Sequence, residues 1–338
     1  MKVPEPKKTK SGWRIQLRLG GKSIPVIAAD RKSCIRAAAQ IKAKMQAGEQ
    51  MEAAVSDSVE SVILKYIHAK EAVLSPSTIR AYYIMYRNRW QSIRSRKISD
   101  IRPEEWQKII SIESTTCAPK TLRNAWGLLR SAAKSAGITI ADATLPQKEK
   151  NSRSFLSASQ IPVFVDAVKD TPFAIPLLLA LSSLRISEIS ALTWENVGND
   201  MIRVSGATVL GADNKYHTKK TNKNYSSART VPIFIPELRI ALNRSRLSSG
   251  PVVACSQNAI RRNLKKICAE AGLPELTVHG LRHSFASLAY HLQIPEKICM
   301  EIGGWSDNQT MRNIYTHIAQ EDISHYGSAL HQFFENRA

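Results

Sequence analysis

The chain has 338 residues, with 48 Lys and Arg against 28 Asp and Glu, a formal net charge of +20 and a sequence pI of about 9.9. A hydrophobic content of 43% excludes a wholly disordered chain, and the longest apolar run, Phe173 to Leu184, is shorter than the ~20 residues of a membrane-crossing helix. Five cysteines (Cys34, Cys117, Cys255, Cys268, Cys299) form no CxxC pair, which points away from a disulfide framework or zinc knuckle and towards a reducing cytoplasm. The basic N-terminus is followed by no apolar segment of signal-peptide type. The charge favours a polyanionic partner, nucleic acid first, over a basic surface that is merely solvated. It is unevenly spread: residues 1–50 hold 12 basic and 3 acidic side chains, residues 51–151 hold 16 and 10, and residues 152–338 hold 20 and 15.

In chain order, residues 1–10 read as a flexible basic lead. Trp13, Ile15, Leu17 and Leu19 alternate with Arg14, Gln16 and Arg18, the pattern of a half-buried strand. Gly20-Gly21 marks a hairpin turn, and Lys22 to Ile27 a second strand. Asp30 or Ser33 can cap a helix running to about Ala47, with Gly48 ending it. Residues 56–137 read as four helices: one carrying Val59, Val62, Ile63 and Tyr66, one opened by Ser75-Pro76-Ser77, one opened by Ile101-Arg102-Pro103, and one from Thr121 to Ala136 closed by Gly137. In the second of these, Tyr82, Tyr83 and Tyr86 interleave with Arg80, Arg87 and Arg89. That suits a nucleic-acid backbone as well as it suits a core stripe beside a solvated face. Residues 138–154 read as a linker. Helices then run to about Leu192, strands and turns from Met201 to Ile235, and helices to the end. The spacing divides the chain into 1–50, 51–151 and 152–338, multidomain and mainly α: a small α+β module, a helical domain, and a mainly α domain holding a small antiparallel sheet.

Three segments carry candidate chemistry. Leu184-Arg185-Ile186-Ser187-Glu188 places an arginine at a helix junction, with Ser187 able to cap the following helix and Glu188 as a possible ion-pair partner. In His279-Gly280-Leu281-Arg282-His283, the apolar stripe Leu281, Phe285, Leu288, Leu292 leaves His279, Arg282 and His283 off its face. His283 reads as structural. Gly303-Gly304-Trp305-Ser306 precedes Tyr315-Thr316-His317 by about ten residues. Taken singly, each has a plain structural explanation: a capping arginine, a turn histidine, a packing tryptophan.

Taken together and in this order, they resemble the tyrosine recombinase (phage integrase) family, whose pattern is L-R-x-S-E, H-x-L-R-H, G-(H/W) and a Tyr before T-H. Many members carry Thr-Gly before the L-R; here Ser182-Ser183 stands there, a small-for-small exchange. The family's hairpin lysine falls within 217–232, where Lys223, six before Arg229 with Ser227 between, fits K-x-x-x-S-x-R better than Lys220.

The resemblance implies Tyr315 as nucleophile on a DNA phosphodiester, Arg185 and Arg282 as the phosphate clamp, and His279 as base or relay. It also implies Lys223 as acid for the departing 5′-oxygen and Trp305 as a packing or hydrogen-bonding residue. A tyrosyl hydroxyl titrates near 10 when unperturbed, so it needs such a base or an electropositive pocket. The product would be a 3′-phosphotyrosine link reversed by a 5′-hydroxyl through a Holliday junction, with no metal, ATP or other cofactor. Implied partners are double-stranded DNA at core-type and arm-type sites, three further copies in a homotetramer, and accessory bending or excision factors; no membrane is involved. Residues 1–50 would be the arm-binding module, 51–151 the core-binding domain and linker, and 152–338 the catalytic domain. Its tail (Ile323, Leu330, Phe333, Phe334) would pack on a neighbouring subunit, where a helix folded back on its own domain is the alternative. A non-catalytic DNA-binding regulator would not need the Arg185, His279, Arg282, Tyr315 set. A type IB topoisomerase would share it.

Overall fold

The computed structural model describes residues 4–9, 12–19, 22–28, 30–56, 58–147, 154–219, 228–306, 331–332 and 334–335. The chain forms two compact units, Met1–Glu149 and Lys150–Ala338.

The first unit begins with a three-stranded antiparallel sheet, β1 (Lys7–Thr9), β2 (Gly12–Leu19) and β3 (Lys22–Ala28), with β2 in the middle. The lead read as flexible is thus partly a strand: Lys7 pairs with Arg14 and Thr9 with Gly12. The reason is backbone pairing on the open edge of β2, which asks nothing of the exposed side chains. The Gly20-Gly21 turn lies outside the described residues, although Leu19 pairs with Lys22 across it. Ile15, Leu17 and Val26 face α1 (Arg31–Ser56) and pack on its Cys34 and Ala38. Asp30 caps that helix, accepting the Ser33 hydroxyl at 2.6 Å and the Ser33 N–H at 2.9 Å, which in that order hold its carboxyl below the usual range. Gly48 does not end α1, which continues to Ser56. A helical glycine costs only about 1 kcal/mol relative to alanine, and good helix formers follow it.

Four helices follow: α2 (Val59–Lys70), α3 (Pro76–Asn88), α4 (Pro103–Ser114) and α5 (Pro119–Ser135). Ser58 caps α2, and two short 3₁₀ turns separate α3 from α4. Trp90, Trp106 and Trp126 meet in the core, with ring centroids 6.1 and 5.5 Å apart along the chain of contacts. The α3 tyrosines are engaged within the unit: Tyr83 and Tyr86 donate to Glu71 and Glu60, and Tyr82 packs on Tyr66. The expected linker is in part tied down, since Arg123 of α5 donates to the carbonyls of Pro146 and Leu145.

The second unit is built around α7 (Ala174–Leu181), preceded by α6 (Gln160–Val168). The apolar run seen in the sequence is this helix, and Leu177 to Leu181 are all within 2% of complete burial. After the short α8 (Ile186–Ile189) come β4 (Met201–Val204), β5 (Ala207–Leu210), β6 (Tyr216–Lys219) and β7 (Arg229–Pro232), pairing as β4–β7 and β5–β6. Then come α9 (Pro236–Arg244), α10 (Gln257–Glu270), α11 (Val278–His291) and α12 (Glu296–Gly303). Among the described residues no helix is long and apolar enough to cross a membrane.

The expected stripe on α11 is not what orients it. Leu292 is 59% exposed, whereas Arg282 and His283 are buried. The helix lies inside the unit against α7, so burial extends around its circumference rather than along one face. Leu178→Ala should therefore lower stability by about 2–5 kcal/mol, whereas Leu292→Ala should change it by no more than about 0.5 kcal/mol. Urea denaturation followed by far-UV circular dichroism compares the two.

Candidate active site

Arg185 follows the end of α7. The helix closes with Leu184 N–H donating to Leu179 O at 3.1 Å, which places Ser183 in the left-handed region at φ 78°. The exchange at 182–183 is therefore not neutral. A glycine adopts this conformation freely, while a serine there is strained. Arg185 then has extended backbone and itself stands at the N-cap of α8, so Ser187 lies inside the helix rather than capping it. The carboxylate of Glu188 accepts the Arg185 N–H at 2.8 Å and pairs with its Nη1 at 2.7 Å. The ion pair foreseen as the plain explanation of Arg185 is thus present, but it uses only part of the guanidinium. Nη2 donates to Gly304 O at 2.8 Å, and the side chain stays 35% exposed.

Arg282 is set by α11. Thr277 caps that helix through the Gly280 N–H. Gly280 is required because a Cβ there would lie 2.7 Å from Ser154 O, where the chain entering the unit crosses the helix. The Arg282 guanidinium is 1% exposed and donates Nη1 to Ser183 O at 2.5 Å. Its Nε and Nη2 have no acceptor among the described residues. Burial, then the charges of Arg185 and Arg229, push it below its ordinary range, with Glu188 opposing. A guanidinium remains cationic under that pressure at neutral pH.

Trp305 covers this group, with Arg282 Cζ 4.3 Å from the ring centroid, a cation–π contact. The ring also stacks on Phe285. The two glycines before it have separate reasons. At Gly303 a Cβ would collide with the Trp305 ring; Gly304 takes φ +63° and lies over Arg229, whose Cδ a Cβ would meet at 3.0 Å. His279 is exposed on the first turn of α11, with its ring 4.5 Å from that of His283. Lys223, its alternative Lys220, and Tyr315 lie outside the described residues, as do Ile323, Leu330 and Phe333 of the tail.

Sequence reasoning missed Arg229. It served only to mark a spacing, yet its side chain is 5% exposed and bonds to Glu188, Ser183 O and Ile302 O. Its place in K-x-x-x-S-x-R was the available signal. Two guanidiniums thus meet one buried carboxylate, with that of Arg282 beside them, leaving net positive charge. Burial alone would raise the Glu188 carboxyl, but Arg229 first and Arg185 second hold it below the usual range. Such a site suits a phosphodiester, whose equatorial oxygens accept paired guanidinium hydrogen bonds. Among the described residues no cluster of three or more His, Cys, Asp or Glu could hold a metal.

The phage integrase family model matches residues 154–322, half of the chain. The chain belongs to the phage integrase family. Among curated members, the XerC-like tyrosine recombinase of Caldanaerobacter subterraneus subsp. tengcongensis is 27% identical over 210 residues, covering 53% of this chain and 54% of the relative. The tyrosine recombinase XerD of Neisseria meningitidis serogroup A is 28% identical over 185 residues, 52% and 62% respectively. The chain thus spans between half and two thirds of these relatives' length. The fold resembles that of the Tn1549 transposon integrase, solved with transposon right end DNA (TM-score 0.62, 17% identity, 79% of this chain and 99% of that one). It also resembles that of one chain of the lambda integrase tetramer solved bound to a Holliday junction (TM-score 0.57, 16% identity, 92% of this chain and 95% of that one).

Within this integrase-family fold, Ser183 is a test of backbone strain. Ser183→Val places a β-branched residue at positive φ and should cost about 1–3 kcal/mol, while Ser183→Gly should be no less stable than the parent to within about 1 kcal/mol. Thermal unfolding of the three proteins gives the comparison.

Proposed function

We propose that the chain is a site-specific DNA recombinase, cleaving and rejoining strands through a 3′-phosphotyrosine intermediate and a Holliday junction. The observation that carries this reading is the buried Arg282 guanidinium, held beside Arg185 and Arg229, with two of its nitrogens lacking an acceptor among the described residues. Buried donors left unpaired are costly, roughly 1–3 kcal/mol each, and a phosphate oxygen is the acceptor that satisfies them.

In the reaction, Arg185 and Arg282 bind the non-bridging oxygens and offset the charge that builds as the phosphorus is attacked. The Tyr315 oxygen forms the new bond to phosphorus, its proton passing to His279 or through it, and the P–O5′ bond breaks with Lys223 protonating the departing oxygen. Trp305 roofs Arg282 and keeps water from it. A 5′-hydroxyl from the partner duplex reverses the step, so the bond energy is conserved and no cofactor is called for.

The partner is double-stranded DNA. Residues 1–50 act as the arm-type module, supported by the exposed sheet face where Arg14 hydrogen-bonds Gln16 and pairs with Lys7; a ribbon of this size fits a major groove. Residues 51–151 bind the core site and 152–338 carry out catalysis. Four copies act together in the cytoplasm of a host cell, the tail of each packing on its neighbour in a closed ring. Accessory bending or excision factors, and a phage or other mobile element as source, complete this reading.

On a duplex carrying its crossover site, the protein should form a covalent DNA adduct in EDTA, and Tyr315→Phe should abolish it. A metal-dependent nick, or an adduct surviving that change, overturns the mechanism; denaturing gels read both. Arg185→Ala or Arg282→Ala should slow adduct formation by about 10²–10³. Lys223→Ala should slow cleavage far more than Lys220→Ala, and a substrate with a 5′-sulfur leaving group, which needs no acid, should restore the rate of the affected variant only.

A further inference from the structure

We propose that Arg229 is a positioning residue of this site, neutralising Glu188 so that Arg185 stays available to the phosphate and fastening β7 to the Gly303-Gly304-Trp305 turn. The proposal rests on the recombinase reading and extends it to a residue that no motif role covers.

Arg229 is the first residue of β7, paired with Val204, and its side chain runs inward from the strand. The guanidinium forks onto Glu188, with Nη1 to Oε1 at 3.1 Å and Nη2 to Oε2 at 3.0 Å. Nε donates to Ile302 O at 2.7 Å, and Nη2 also reaches Ser183 O at 3.3 Å. The segment that carries both Arg185 and Arg282's acceptor, and the segment that leads to Trp305, thus share one side chain. With Nε, Nη1 and Nη2 each already donating to a protein acceptor, Arg229, unlike Arg282, is not free to take up a phosphate; it acts through the groups it holds.

Two further observations agree. Gly304 is the position where a Cβ would press on Arg229 Cδ and Nη1, and the same residue's carbonyl accepts Arg185 Nη2. The turn is therefore shaped around Arg229 on one side and fixes Arg185 on the other. Glu188 is 3% exposed in its side chain, whereas Arg185 is 35% exposed. Without Arg229 a buried carboxylate would have to be neutralised by a half-exposed guanidinium, which would then be drawn away from its substrate. A lysine supplies neither the fork nor the third bond to Ile302 O.

The sign of the pH dependence follows. In the native protein Glu188 titrates below its ordinary range, so its contribution to stability is complete above the ordinary glutamate value of about 4.3 and is lost as pH falls through the lower folded value. Removing Arg229 raises the folded value. The stability difference between variant and parent is then largest at neutral pH and shrinks as pH falls through the raised value.

The test uses the full chain with Arg229→Lys and Arg229→Met, each alone and with Glu188→Gln. The DNA probe is a nicked duplex carrying the crossover site recovered from the DNA flanking the coding region. Both single variants should bind the duplex with unchanged affinity and form the covalent adduct about 10²-fold more slowly at saturating protein. The stability loss in Arg229→Met should fade at acid pH and be independent of pH when Glu188→Gln is also present. Parental rates in either variant, a loss explained by weaker DNA binding, or a pH-independent stability loss unaffected by Glu188→Gln would overturn the proposal. If the parent itself forms no adduct, the recombinase reading fails, and the pH-dependent stability comparison still decides the pairing of Arg229 with Glu188.

Discussion

One buried negative charge organises the second unit of this chain. Glu188 sits on a four-residue helix, and Arg185 and Arg229 approach it from the chain before it and from a strand 41 residues later. Burying a carboxylate is costly unless it is paired and hydrogen-bonded, and here both guanidiniums and one backbone N–H meet it. The remaining charge is positive, which is what a site for a phosphodiester requires. Arg282 adds to it from α11 without touching Glu188 in the described geometry; it is anchored instead on the carbonyl of Ser183.

That anchoring depends on how two helices end. α7 and α12 both close with a hydrogen bond from the residue after a left-handed position, Leu184 to Leu179 and Trp305 to Met300. Each closure reverses the chain and turns a carbonyl towards the arginines, Ser183 O for Arg282 and Arg229, Gly304 O for Arg185. The left-handed residue is glycine in one turn and serine in the other. The serine stores local strain beside the site, tolerated because the carbonyl it presents holds two guanidiniums.

The net charge of +20 separates into two uses on this view. Exposed Lys and Arg side chains act on a polyanion at a distance, where salt screens them. The site arginines are few, largely buried and held by hydrogen bonds, so their field is little screened. Arg282 under the Trp305 ring is the clearest case: low solvent access strengthens its interaction with an anion and makes its unpaired N–H groups costly without one.

Several elements were determined by the sequence alone. Alternation at Trp13–Leu19, the proline and serine signals at 75–77, Gly137 after α5, and the apolar run that became α7 all depend on local conformational preference and on period, which a linear pattern carries. The family motifs likewise singled out Arg185, Arg282 and Trp305, which the fold brings together. Where the linear pattern failed, the deciding partner was distant in sequence or purely backbone. β1 exists because β2 had an open edge, α1 passes through Gly48 because no competing conformation was favoured there, and α11 is buried around its circumference because α7 lies against it. Arg229 looked like a spacing marker and proved to be the link between β7, Glu188 and Ile302, since hydrogen bonds across 41 and 73 residues leave no periodic trace. Sequence singled out Arg185 and Arg282; tertiary structure added Arg229 and decided which guanidiniums are spent on Glu188 and on backbone carbonyls, because only packing brings those acceptors within hydrogen-bonding distance.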